Sequence, residues 1–492
     1  MKKFIKENKL FVILFLFSVA IRFVNINMPI LEGTATRQVQ TAMIARNYHE
    51  DGYNILYPKV DHLGAGENYL IIEFPLLNCL TAIGYDIVGG VSEWIGRLWG
   101  ILFFAGGLIF LYLLVKEIFD KDTAFWAGLV FSFSPLSIIY SRTIMPDFEM
   151  LFFSLGSIYY MYIYLLCNKI KHFWTSAILA MIAFLVKLPA IYIIPLLAFL
   201  LFRREKNSIL FKIKNWSYLL VSVLPALLWY LRAAQVQRSL TPQEAYNYDV
   251  SHWIVLGEFL SIEFYKDLLN IFSGVFLTPI GFSLLILGLF VKKDKDQDKV
   301  LWVWLGSIIL FIIVFVSHID EPYYSLNILP LASIFIARAI IFIKDYDWKN
   351  NAYLSSNISR IAFIMIASFL ILRFSLYAYM VPKGYRYIPE LGKRIQTISA
   401  PDDLIVASSA ASPAALYYCD RQGWPFHLPG PDKNSTKDAI ERLENLRNEG
   451  AKLFCSAVKA EFDRSVFFKE YMFKNYKIVE HKKDKYIIFN LQ

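Results

Sequence analysis

Between residues 27 and 75 the chain carries Glu32, Thr36-Arg37-Gln38, Tyr57-Pro58, Asp61-His62 and Glu73-Phe74-Pro75. This is a dense set of ionisable groups in a chain in which only 18% of residues are charged. Arg142 and Asp147, then Lys187, then His318, Glu321, Tyr323 and Tyr324 stand at the ends of later apolar runs. These residue types can do acid–base and charge-stabilising work. A carboxylate partly shielded from water can remove a hydroxyl proton. Fixed Arg or Lys donors can stabilise an anionic leaving group as its charge develops.

Each candidate has a plainer role open to it. Glu32 could cap the helix expected from Thr36 to Asn47, since acids favour helix N-termini. Arg37 could anchor a lipid headgroup, and Lys187 could snorkel to the interface. Asp147 follows Met145-Pro146, a helix start where an acid is favourable anyway. Tyr323 and Tyr324 could belong to an interfacial aromatic belt.

The elements that position these groups follow from composition. The 492 residues are 57% hydrophobic and 17% aromatic, with a mean hydropathy of +0.44. Soluble domains sit nearer 45–50% apolar, so the composition points to an integral membrane protein. The net charge of +9 could suggest nucleic acid, but the positive-inside rule explains it more simply, so no nucleic-acid partner is expected. Lys2, Lys3, Lys6 and Lys9 precede an apolar run at 10–26 that no small-residue cleavage site follows. It reads as a first helix with a cytoplasmic N-terminus, with Arg22 snorkelling at its outer end.

Further apolar runs at 95–116, 123–140, 148–167, 173–187, 189–202, 216–232, 268–291, 300–317, 325–343 and 358–380 bring the expected total to about eleven spans. The run at 75–90, broken by Pro75, Gly84, Gly89 and Gly90, is expected to lie on or dip into the interface. With this topology the N-terminal tail and the loops assigned to the cytoplasm are rich in Lys and Arg. The short outer loop at 141–147 has only Arg142, and that at 318–324 has none. Residues 27–94, 233–265 and everything after 383 then lie outside, and all the candidate residues share that side.

The expected architecture is a polytopic α-helical membrane domain over 1–383, with 27–94 as its first extracytoplasmic loop, and a small extracytoplasmic α/β domain over 384–492. In the latter, 404–407, 452–455 and 486–489 read as strands. Residues 437–448 read as an amphipathic helix ended by Gly450. Strand alternating with helix suggests α/β. Cys79, Cys167, Cys419 and Cys455 show no metal-ligand or CxxC spacing. Cys419 and Cys455 could pair in an oxidising compartment, or remain buried thiols.

The order of motifs resembles a known family. An acid follows the first span, then come Thr36-Arg37-Gln38 with Thr41 to Asn47, Leu56-Tyr57-Pro58 and Glu73-Phe74-Pro75-Leu76. Tyr140-Ser141-Arg142, Met145-Pro146-Asp147 and Val186-Lys187 follow. The resemblance, over residues 1 to 345, is to the GT-C glycosyltransferases of the dolichyl-phosphate-mannose–protein mannosyltransferase and lipid A aminoarabinose transferase type. It implies transfer of a sugar from a polyprenyl-phosphate donor to a lipid, glycan or protein acceptor, with inversion. It implies a catalytic acid in the first outer loop. The family commonly has an Asp-Glu pair there. Here Glu32 stands alone, with Asp61 as the reserve base and Asp147 to orient the base or bind sugar hydroxyls. The family often has Glu-Lys before the proline where this chain has Glu73-Phe74, so Arg37, Arg142 or Lys187 must bind the donor phosphate. Gln38, Glu73, His318, Tyr323 and Tyr324 would contact sugar or acceptor. Some members hold a divalent cation, which Glu73 and His318 would imitate; no metal site is assigned. The expected setting is a bacterial inner membrane. Two other classes fit the same scaffold, a flippase for a lipid-linked sugar and a polysaccharide polymerase or ligase. The flippase would need ionisable groups at mid-membrane depth, and the spans at 300–317 and 358–380 hold almost none.

Overall fold

The computed structural model describes residues 7–33, 35–240, 256–291, 295–315, 321–346, 357–409 and 412–492. The chain divides into two compact units. One takes Met1–Ile26, Arg97–Leu231 and Tyr248–Ala378; the other takes Asn27–Gly96, Arg232–Asn247 and Tyr379–Gln492. The loop at 27–94, grouped from sequence with the helical body, therefore shares its unit with the C-terminal region.

The described residues of the first unit form helices joined by turns and contain no strand. Six described helices are long and apolar enough to cross a bilayer: Glu93–Ile118, Asp147–Cys167, Ile213–Ser239, Asp296–Val314, Pro322–Asp345 and Asn357–Tyr385. A seventh arises if Ile262–Phe276 and Thr278–Phe290, bent by 108° at their junction, form one broken span. The other apolar runs make shorter elements for local reasons. Ser134-Pro135 splits the run at 123–140 into Lys121–Phe133 and Pro135–Tyr140. Leu188–Ile193 is a 3-10 turn, which leaves Ile194–Glu205 with 12 residues. The first helix, Lys9–Ala20, also has 12, about 18 Å at 1.5 Å per residue.

Packing in this unit joins polar groups across apolar helices. Helices Asp147–Cys167 and Ile170–Val186 meet at Ser157 and Ser176, each hydroxyl donating to the other's backbone carbonyl at 3.0 and 2.8 Å. Arg22 does not snorkel as expected. It is fully buried, and donates to Ser18 O at 2.6 Å, Ser132 O at 2.8 Å, Ser141 Oγ at 2.6 Å and Ser137 Oγ at 3.2 Å. Its guanidinium carbon lies 3.4 Å from the centroid of the Phe104 ring. An arginine surrounded by carbonyls and hydroxyls needs no water, which is why burial wins over the interface. Gly100 admits the turn that follows, since a Cβ there would sit 3.0 Å from both Ser141 O and Thr143 O.

The second unit contains the sheet. Strands β1 (Ile405–Ser408), β2 (Gly423–Pro425), β3 (Leu453–Ser456), β4 (Lys477–Lys482) and β5 (Tyr486–Asn490) lie in the order β2-β1-β3-β5-β4. β1 runs parallel to β2 and β3, while β5 is antiparallel to β3 and β4. Helix Lys433–Asn448, capped by the Asp432 side chain, buries Leu443 and Leu446 against Val406, Phe426, Phe454, Phe468 and Phe489. The small α/β domain expected from the strand and helix patterns is present.

The first loop adds to this unit helix Ala35–Asp51 and helix Leu76–Val88, the latter ended by Gly89 in the left-handed region. The loop pairs with the edge of the sheet. Gly423 N donates to Asp61 O and Gly64 N donates to Gly423 O, each at 2.9 Å. Gly64 is needed there. Its φ is +101°, and a Cβ would meet the Trp424 indole at 2.7 Å.

Candidate active site

In the first unit, four of the residues singled out by sequence come together. Asp147 opens helix Asp147–Cys167 directly after Pro146, which favours a helix start. Lys187 is an extended residue (φ −157°, ψ 121°) between helix Ile170–Val186 and the Leu188–Ile193 turn. Pro189 has no N–H to give to Leu185 O, so the helical ladder of Ile170–Val186 cannot continue through it. The Lys187 Nζ reaches Asp147 Oδ1 at 2.6 Å, with the two side chains 7% and 1% exposed. The same ammonium lies 4.6 Å from the Tyr323 ring centroid and 5.5 Å from that of Tyr324. Those tyrosines come from the turn Pro322–Ile328, with ring centroids 4.9 Å apart. A cation held by one carboxylate and faced by two rings is a compact site for an anion and a ring-bearing ligand.

Arg142 is buried and turned onto backbone, its Nη2 donating to Val24 O at 2.6 Å. Sequence reasoning missed Glu149, buried in the same first helical turn as Asp147, and Arg97, buried with its Nη1 donating to Ile26 O at 3.1 Å. The signal for Glu149 was present, since a second acid in the first turn of an apolar 21-residue helix is costly to bury. His318 lies outside the described residues.

In the second unit, Arg37 and Glu73 form an ion pair, with Nη2 at 2.6 Å from both carboxylate oxygens. Gln38, next along helix Ala35–Asp51, is fully buried, and Glu32 is buried in the turn before that helix. The turn is fixed by Ile30 N, which donates to Tyr418 Oη at 2.9 Å. Asp61 has both carboxylate oxygens engaged, Oδ2 by Arg46 at 2.6 Å and Oδ1 by Asn47 at 3.1 Å. His62 beside it is buried, and burial pushes its pKa down to about 4. Glu73, one half of the imagined cation site, is committed to Arg37. Among the described residues no group of three or more His, Cys, Asp or Glu could hold a metal ion.

Cys419 and Cys455 are both buried, and all four cysteines are free thiols. Burial and the neighbouring Cys455 push the Cys419 thiol well above its usual value.

Comparison with known proteins gives the arrangement a context. Residues 73–230 match the family model for dolichyl-phosphate-mannose-protein mannosyltransferase. An uncharacterized protein of Aquifex aeolicus (strain VF5) is 25% identical over 319 residues, which span 63% of this chain and 67% of that one. A second from the same organism is 27% identical over 268 residues, spanning 54% of this chain and about half, 52%, of its own length. Among solved structures, ArnT from Cupriavidus metallidurans in the apo state superposes with a TM-score of 0.67 at 13% identity, covering 98% of both chains. The same protein bound to undecaprenyl phosphate superposes with a TM-score of 0.63, again over 98% of both. The apolar helices make this an integral membrane protein; it shares the fold of these solved structures over nearly its whole length, and about a third of it matches the mannosyltransferase family model.

Proposed function

We propose that this protein moves a sugar from a polyprenyl-phosphate donor to an acceptor hydroxyl on the outer face of the membrane, with inversion at the anomeric carbon. The observation that carries the reading is the buried Lys187–Asp147 pair facing Tyr323 and Tyr324, on a fold whose relative ArnT binds undecaprenyl phosphate. A buried ion pair contributes little to stability by itself, so its retention fits a role toward a charged ligand.

In the proposed step the acceptor oxygen bonds to the anomeric carbon while the bond from that carbon to the lipid phosphate breaks. The phosphate leaves with the electron pair and a carboxylate takes the hydroxyl proton. Glu32 is the proposed base. Asp61, the reserve, has its oxygens taken by Arg46 and Asn47 and acts as their counter-ion. Lys187 or Arg37 receives the phosphate charge. Asp147 and Glu73 hold those cations in position and balance them before the donor arrives. Tyr323 and Tyr324 stack on the sugar, and Gln38 contacts sugar or acceptor. Arg142, donating to Val24 O, is left to hold the outer turn. His318 keeps the sugar-contact role assigned from sequence.

The proposal takes the chain to cross a bacterial inner membrane about eleven times, with the short and bent helices completing crossings. It sets the first loop and the C-terminal domain outside. The Lys- and Arg-rich loops on the other side support this. Mass spectrometry of surface glycans from a strain lacking the gene tests the reading in cells. A missing sugar branch, restored by the wild-type chain and not by Glu32→Gln, is the expected result. An unchanged glycan profile would count against it.

A further inference from the structure

The second unit carries an open cavity of about 470 Å³, and none of the residues proposed for the transfer step lines it. The volume falls within the roughly 300–1,000 Å³ of ligand pockets. Helix Ala35–Asp51 contributes Arg46 and Glu50, the segment entering helix Glu93–Ile118 contributes Glu93 and Trp94, and the segment around Tyr417 contributes that ring and Asp420.

Arg46 is the fixed point of the cavity. It is 5% exposed, with Nη2 on Asp61 at 2.6 Å and Nη1 on Asp420 at 2.9 Å and on Tyr417 O at 2.7 Å. Its guanidinium carbon sits 5.1 Å from the Tyr417 ring centroid. Its Nε is buried and has no hydrogen-bond partner among the described residues. Tyr418 is tied by its hydroxyl to Ile30 N and to Glu93, and its carbonyl accepts from Gln396 Nε2 at 3.0 Å. The walls are therefore preorganised.

The residue types select the ligand. Carboxylates and a guanidinium can bond adjacent hydroxyls with charge-assisted hydrogen bonds. Flat indole and phenol faces with negative quadrupoles suit the polarised C–H face of a sugar ring. Three lining carboxylates, Glu50, Glu93 and Asp420, stand against one guanidinium, so an anionic sugar is repelled. A divalent cation is disfavoured, since Arg46 sits among the acids and no metal-holding group of three occurs among the described residues.

We infer that this cavity is a saccharide subsite that holds a neutral or amino-bearing part of the acceptor glycan, away from the transferred sugar. The inference rests on the glycosyltransferase reading, in which this unit faces the glycan side, and its test needs no turnover. Saturation-transfer NMR on the purified full chain in nanodiscs would use cellobiose, glucosamine and glucuronic acid as probes. Cellobiose and glucosamine should receive saturation, with glucuronic acid at least tenfold weaker. Trp94→Ala should cut the signal tenfold or more. Glu50→Gln, at an exposed position, should narrow the gap between glucosamine and glucuronic acid even if Trp94→Ala fails to fold. No signal from any probe, glucuronic acid as the best ligand, or signals unmoved by both variants would overturn the subsite. Sugar binding without release of lipid phosphate from any donor would sink the transferase reading alone; release without sugar binding would sink the subsite alone.

Discussion

Lys187 and Asp147 show how two residues constrain each other in an apolar body. With side chains 7% and 1% exposed, neither charge has water to fall back on. Lys187→Met removes the cation that the buried Asp147 carboxylate holds and should cost about 3–5 kcal/mol of stability. Lys187→Met combined with Asp147→Asn should recover most of that loss without recovering turnover. Thermal unfolding in nanodiscs, run beside donor turnover, reads both. Restored activity in the double variant would make the pair purely structural. His62 makes a second case, in the other unit. Its buried ring has a pKa of about 4 against the ordinary 6.5. Between those values the unfolded chain holds more protons than the folded one, so stability is full above pH 6.5 and falls as the pH drops toward 4. The fall attributable to this ring is up to roughly 3 kcal/mol. His62→Gln should flatten the pH dependence of the unfolding temperature across that window; an identical slope in the variant would show that the ring does not titrate this way.

At the scale of elements, the edge strand β2 and the first loop depend on each other through Gly64 and Trp424. Gly64→Ala adds a methyl 2.7 Å from the indole at a φ of +101°, costing on the order of 1–2 kcal/mol for the backbone alone. Limited proteolysis should then cut within 58–70 faster than in the wild type, and an unchanged cleavage rate would mean that the pairing carries little. This contact also marks what could be read from sequence. The strands at 405–408, 453–456 and 486–490 carry apolar runs that the eye finds. β2 has three residues around a Gly and a Pro, and β4 is largely exposed and charged, so neither has a hydrophobic pattern to find. Lys187, Asp147, Tyr323 and Tyr324 were legible because charges and paired rings at the ends of apolar runs stand out. Arg22 was visible but misread, because its partners are carbonyls and serine hydroxyls far along the chain, and composition carries no trace of them. Arg97 was hidden near a helix start where a single charge is ordinary, whereas Glu149, the second acid in its helical turn, was legible and passed over.

For the whole molecule, the first loop, with its Arg37–Glu73 pair, folds in one unit with the C-terminal sheet. Removing residues 384–492 takes away the backbone partners of Asp61 and Gly64 and the Tyr417 carbonyl that Arg46 holds. Both donor and acceptor use should fall together in that truncation, as measured by donor binding and product formation; retained donor binding would show that the loop keeps its shape alone. The central claim is the lipid-linked donor. Its most direct test is mass spectrometry of undecaprenyl phosphate released by the purified chain in nanodiscs from a panel of undecaprenyl-phosphate sugars. The proposal predicts release from at least one donor, stimulated by acceptor and lowered about 10²–10⁴-fold by Glu32→Gln. No release from any donor with a folded wild-type chain, or equal release by wild type and Glu32→Gln, would contradict it.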